Sequence, residues 1–205
     1  MANATLERLR NEHRNLRNLL SLLEQQLDTL ESGGPFDYQL LADIVDYLVT
    51  YPDCYHHPLE DLLFARLIER TPQLRATIDA LEEEHPQMAA DGVRLRVLIS
   101  RCADGDDIAR RALARLGQRY VDSFRAHMDV EDNGVFDALE DGLTPADWLE
   151  LTTRFHWTQD PLMADQAEQR FEALRAQLGT AEPTRRRTCG PWSDRRARSS
   201  GVAVR

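Results

Sequence analysis

The sequence predicts an all-α fold: an up-down-up-down four-helix bundle with an extra C-terminal helix and a disordered tail. Three observations predict it. Four long stretches carry apolar residues at spacings of three and four, the period of one helix face. Short turns rich in glycine, proline or aspartate separate them, and short connections between long helices imply antiparallel neighbours. At one depth of each stretch a histidine lies on or beside the apolar stripe.

The first stretch runs from about Ala4 to Leu30, with Leu6, Leu9, Leu16, Leu20, Leu23, Leu27 and Leu30 on one stripe. Ser32-Gly33-Gly34-Pro35 ends it with stop signals. The second runs from about Asp37 to Arg70. Pro52 and Pro58 fall inside it, and each removes a backbone hydrogen bond, so a kink or local break is expected there. After the Thr71-Pro72 corner, the third runs from about Gln73 to Cys102 on Leu74, Ile78, Leu81, Met88, Leu95 and Ile99. Asp104-Gly105-Asp106 is a turn and cap signal. The fourth runs from about Asp107 to Leu139, with Leu113, Leu116, Tyr120 and Phe124 facing inward. Thr144-Pro145 fits the N-cap and first turn of a fifth helix reaching about Leu178, which carries Trp148, Phe155 and Trp157 toward the bundle. Three segments follow: residues 1–142 as the bundle, 143–178 as the added helix, and 179–205 as a basic tail. From residue 181 onward that tail holds seven arginines against Glu182 and Asp194, with no helical stripe.

Hydrophobic residues make up 42% and charged residues 29% of the 205, which suits one soluble globular domain. No apolar run reaches the ~20 residues of a membrane span, and the N-terminus runs straight into a helical pattern without an apolar leader core, so a cytoplasmic protein off the membrane is expected. The net charge of -10 argues against nucleic-acid binding by the main domain, because phosphate contacts need a basic face. Cys54, Cys102 and Cys189 are far apart, form no CxxC pair, and read as packing or incidental residues. His156 beside Trp157 reads as structural or exposed.

The informative residues are those that interrupt the stripes. His13 interrupts the first, His85 the third, and His127 with Glu131 the fourth; His56 and Glu60 fall close to the second. The two HxxxE pairs put both side chains on one helix face, one turn apart. Measured from the turns near residues 34 and 104, the four histidines lie about 21, 22, 19 and 23 residues deep, the same level to within about one helical turn. A lone buried glutamate is expensive and needs a partner. The stripes offer no arginine at this level for Glu60 or Glu131, whereas a divalent cation satisfies carboxylates and imidazoles together. Imidazole nitrogen with carboxylate oxygen suits iron, zinc or manganese, and suits copper(I) or calcium poorly. His57 is ambiguous: it adjoins His56, and both cannot face the centre of an ideal helix. A kink at Pro58 would let it ligate or support a ligand, and would also decide whether Glu60 turns inward.

These residues resemble the haemerythrin-like HHE cation-binding family. The resemblance is carried by Glu12-His13-Arg14, by His56-His57-Pro58-Leu59-Glu60-Asp61 with Phe64, by Glu84-His85, and by His127-Met128-Asp129-Val130-Glu131 with Phe136. One motif falls on each helix, in order, over roughly residues 3–140. The resemblance implies two non-haem irons bridged by carboxylates. His13, His56, His85 and His127 would be terminal ligands, Glu60 and Glu131 the bridges, and O2, nitric oxide or peroxide would meet the irons at an open position. One departure stands out. Oxygen-carrying members have HxxxH in the third helix, and here the earlier position is Leu81. The place of that imidazole falls to His57, to Tyr51 or Tyr55, or to water.

The expected function is therefore a non-haem di-iron protein that binds or senses O2, nitric oxide or peroxide. The alternative is a di-iron enzyme for peroxide disproportionation, nitric oxide reduction or iron oxidation, or an iron-handling or stress protein. A ferritin-like oxidase needs two ExxH motifs; Glu82-x-x-His85 has no counterpart in helix one, two or four. A metal-free helical interaction module would keep its stability on chelation.

Overall fold

The computed structural model describes residues 4–34, 36–155 and Leu174; the tail, His156, Trp157 and Cys189 lie outside the described residues. Among the described residues every regular element is helical. The first rod is α1 (Ala4–Glu31). It ends where Gly33 takes φ of 74°, and Ser32 N–H and Gly34 N–H donate to the carbonyls of Asp28 and Thr29. The second rod joins α2 (Tyr38–Tyr51) to α3 (His57–Arg70) through a π turn at Pro52–His56. The third is α4 (Arg75–Ala103), entered by a short 3-10 turn at Pro72–Leu74. The fourth joins α5 (Asp107–Val130) to α6 (Phe136–Gly142) through a second π turn at Glu131–Val135. Asp37 and Asp106 cap α2 and α5 by accepting first-turn N–H bonds.

The break expected near Pro52 and Pro58 is present. Pro58 has no N–H for the carbonyl four residues back, and the ladder instead steps to five, with His57 N–H donating to Pro52 O. The break in the fourth rod was not expected, because no proline marks it; Phe136 N–H there donates to Glu131 O. Conversely α4 runs unbroken through Pro86.

α1 packs against α5 and α2, and α4 packs against the same two helices, while α3 contacts α4 and α6. Two apolar clusters fill the interior. One gathers Leu16, Leu20 and Leu23 with Tyr47, Tyr51, Met88, Leu95 and Phe124. The other gathers Leu6 and Leu9 with Leu63, Phe64, Ile78, Leu81, Val135 and Phe136. Each fully buried leucine stabilises the fold by about 1.5–3 kcal/mol. Along each rod, the residues between the two clusters are the polar ones singled out above.

α7 (Pro145–Arg154) opens on a capping box between Thr144 and Asp147. It packs on α3 through Leu151 and Trp148 in the second cluster, and Asp147 accepts from Arg66 and Arg70. Phe155 takes extended backbone, so α7 stops at Arg154 and a single fifth helix reaching Leu178 is interrupted there. Leu174, further along, is helical and buried in the first cluster.

Candidate metal centre

Five histidines and two glutamates meet in the polar layer between the clusters, all buried: His13 from α1, His56 from the first π turn, His57 and Glu60 from α3, His85 from α4, His127 from α5 and Glu131 from the second π turn. Neighbours on a regular helix diverge by about 100°. The extra residue of the π turn removes that constraint, and both His56 and His57 turn inward. The second π turn begins at Glu131, one turn after His127.

The side chains sort into two facing sets. His13, His56 and Glu60 have ligand atoms within 4.8 Å of one another, and so do His57, His85 and His127. The Nε2 atoms of His13 and His56 are 3.0 Å apart, and those of His85 and His127 are 3.2 Å apart. His57 stacks on His85 with ring centroids 3.8 Å apart and planes 8° from parallel. The glutamates lie between the sets. Glu131 Oε2 is 3.4 Å from His13 Nε2, while its Oε1 is 3.1 Å from His127 Nε2. Glu60 Oε1 is 3.1 Å from His56 Nε2 and 3.5 Å from His13 Nε2. Glu60, His85 and Glu131 form a third close group.

The outer nitrogen of each imidazole faces a carboxylate. His13 Nδ1 lies 2.9 Å from Asp132, His56 Nδ1 3.0 Å from Glu12, His57 Nδ1 3.2 Å from Asp53, and His127 Nδ1 2.8 Å from Glu84. His85 Nδ1 is 3.6 Å from Asp61, too long for a hydrogen bond. An imidazole that donates its Nδ1 N–H outward presents Nε2 to a cation once Nε2 gives up its proton, which is how metal-ligating imidazoles are held.

The inner oxygens meet imidazoles at ion-pair distance but outside hydrogen-bond geometry. Neither oxygen of Glu60 or Glu131, nor His57 Nε2, is in hydrogen-bond geometry with any described group. Buried polar atoms left this way cost several kcal/mol as a set. Carboxylate oxygens, a bare imidazole nitrogen and paired Nε2 atoms form a hard-to-borderline N/O donor set that fits iron, manganese or zinc.

Electrostatics divide the histidines. Burial, with His85 and His56 beside it, disfavours charge on His57 and outweighs the Asp53 bond and Glu60, so its pKa is pushed down to about 4, which leaves a neutral ring. Burial also acts against His127, but Glu131, Glu60 and Glu84 outweigh it and push its pKa up to about 9. His56 is raised well above the usual imidazole value because Glu60 and Glu12 overcome its desolvation. Glu60 is held well below the usual carboxylate range by His56 and His13, against the opposing effect of burial.

The sequence reading left Glu12, Asp53, Glu84 and Asp132 without a role, and it offered the Tyr51 hydroxyl as one way to fill the place at Leu81. That hydroxyl donates to Glu12 over 2.8 Å, and Arg8 donates to the same oxygen over 2.7 Å. A faint signal existed: Glu12 lies on a second apolar row with Leu9, Leu16 and Leu19. Asp53, Glu84 and Asp132 carry no such mark, since exposed carboxylates are common on helices.

Similar proteins place the chain. Two uncharacterized proteins of Mycobacterium tuberculosis strains and one of Mycobacterium bovis are each 23% identical to it over 149 residues, covering 73% of this chain. The chain spans 58% of the length of those relatives. No solved structure matches it significantly. The family model for the Hemerythrin HHE cation binding domain matches residues 4–139, about two thirds of the chain, and the chain belongs to that family of metal-cation-binding domains.

Proposed function

We propose that the chain holds two irons in the polar layer of an up-down-up-down four-helix bundle and binds or senses a small ligand, O2, nitric oxide or peroxide, at them. The observation that carries this reading is the pair of facing imidazole sets with Glu60 and Glu131 between them, their oxygens buried and lacking hydrogen bonds. His13 and His56 would hold one cation and His57, His85 and His127 the other, with both carboxylates shared. His57 supports the resolution of the departure at Leu81: its ring stacks on His85, whereas the Tyr51 hydroxyl is committed to Glu12. Zinc or manganese fits the same donors.

When bound, iron supplies one-electron chemistry and an open position for the small ligand. The chain's own residues orient and exclude. Asp132 and Glu12 fix the tautomer and angle of His13 and His56. Phe136 stacks on His13 at a centroid distance of 5.1 Å and keeps water from that side. The half built on His13 and His56 offers one imidazole fewer than its neighbour, which favours it for the small ligand. Residues 1–142 would form this domain, 143–178 an added helix and 179–205 a basic tail, in a cytoplasmic protein; among the described residues no helix is long and apolar enough to cross a membrane. Titration of metal-free protein with cobalt(II) tests the reading: two equivalents bind per chain, and nitric oxide perturbs the spectrum of the iron-loaded form. Absence of cation binding overturns it.

A further inference from the structure

The two halves of the centre differ in what stands behind the imidazoles. Behind His13 and His56 the carboxylates are sheltered, with Asp132 21% and Glu12 7% exposed at the side chain. Each is neutralised by an arginine: Arg17 donates to Asp132 over 2.6 Å and Arg8 to Glu12 over 2.7 Å. Behind His57, His85 and His127 the carboxylates reach solvent, with Asp53 42% and both Asp61 and Glu84 54% exposed. Among the described residues no arginine pairs with these three. Glu82 and Asp79 on α4 lie close enough to Asp61 to share the same acidic field. One imidazole inward from this acidic rim lies the His57 ring, buried, with Nε2 unpartnered.

We infer that the half formed by His57, His85 and His127 is the exchange position, and that the unneutralised rim of Asp53, Asp61, Glu82 and Glu84 is the port through which divalent cations enter and leave. This rests on the two-cation reading above. An acidic mouth with low-dielectric walls raises the local cation concentration and the association rate, and salt screens it. Behind the rim the buried His57 ring faces Asp53 through Nδ1, and its Nε2 lacks a hydrogen-bond partner. The opposite face offers no such route, because its carboxylates are covered and already paired with guanidinium groups.

The test uses stopped-flow binding of cobalt(II) to metal-free, full-length protein. The informative variant is Asp79→Asn/Glu82→Gln, since neither residue hydrogen-bonds to a histidine and the donor set is left whole. The association rate falls at least threefold at low ionic strength, and the difference from wild type closes in about 0.5 M salt, where the Debye length is only a few ångströms. Asp28→Asn/Glu31→Gln, at the far end of α1, leaves the rate unchanged. Loaded protein mixed with a chelator loses one equivalent first and the second at least tenfold more slowly. An unchanged association rate in Asp79→Asn/Glu82→Gln, or loss of both equivalents in one phase, overturns the inference while leaving two bound cations intact. Failure of wild type to bind cobalt(II) at all is a different result and overturns the two-cation reading with it.

Discussion

The Nε2 atoms of His13 and His56 face each other at 3.0 Å across the bundle, while their Nδ1 atoms are held at 2.9 Å and 3.0 Å by Asp132 and Glu12. Two imidazoles fixed from behind with their inner nitrogens in contact form a pair that a cation would spread and satisfy. His85 and His127 repeat the relationship at 3.2 Å. Four of the five partner carboxylates, Glu12, Asp61, Glu84 and Asp132, adjoin a histidine or glutamate of the layer in sequence, so inner groups and their supports are built by the same turns.

Loss of one inner nitrogen should cost cation. His127→Ala removes the contact to Glu131 Oε1. Metal content should drop from two per chain to one or fewer, with the helical circular-dichroism signal retained. Two cations in this variant would mean that α5 does not contribute a ligand.

His57→Leu tests how the place at Leu81 is filled. Leucine keeps the bulk against His85 without a nitrogen, so one equivalent of cobalt(II) should be lost and the other kept. Retention of both would return the place to a tyrosine or water.

Cation binding should stabilise the fold measurably. A ligand present at 100 times its Kd stabilises by about 2.7 kcal/mol. A domain of this size gains roughly 2–4 °C per kcal/mol, so chelation should lower Tm by about 5–10 °C. A metal-free interaction module would show the same Tm with and without chelator.

Docking of α7 depends on Asp147, whose carboxyl is held well below the usual range by Arg70 and by the Thr144 hydroxyl and N–H. A depressed carboxyl stabilises above its unfolded pKa and loses that contribution as pH falls through the folded value. Asp147→Asn should therefore lower Tm at neutral pH, and the gap from wild type should narrow only below about pH 4. A gap independent of pH would show that the side chain acts by packing alone.

Close approach of α2 and α4 depends on Gly92, where an added Cβ would run into Val49 Cγ2. Valine has little rotamer freedom to yield. Gly92→Ala should cost about 1–3 kcal/mol in urea unfolding. A variant as stable as wild type would mean that the two helices separate freely there.

The rods were legible because burial imposes a 3.6-residue period on leucine, and the depth match of His13, His56, His85 and His127 was legible because helix rise is constant. Both carboxylates of the HxxxE pairs followed from that. What stayed hidden depends on backbone irregularity and on tertiary partners. The inward turn of His57 needs the π turn that Pro58 provokes, and periodicity assumes a regular helix. The π turn at Glu131 has no proline to announce it. Glu12, Asp132 and Glu84 acquire meaning only when a histidine on another rod lies beside them, a relation no single helix contains. The end of α7 at Phe155 was likewise missed, because Phe155 and Trp157 read as continuing apolar payload.

The most direct test is the metal content of full-length protein purified from iron-replete cells, taken with its Tm before and after chelation. Two irons per chain, removed by chelator with a clear fall in Tm, is the expected result. Iron-free protein whose Tm does not respond to chelator or to added iron(II) would contradict a metal centre in this layer.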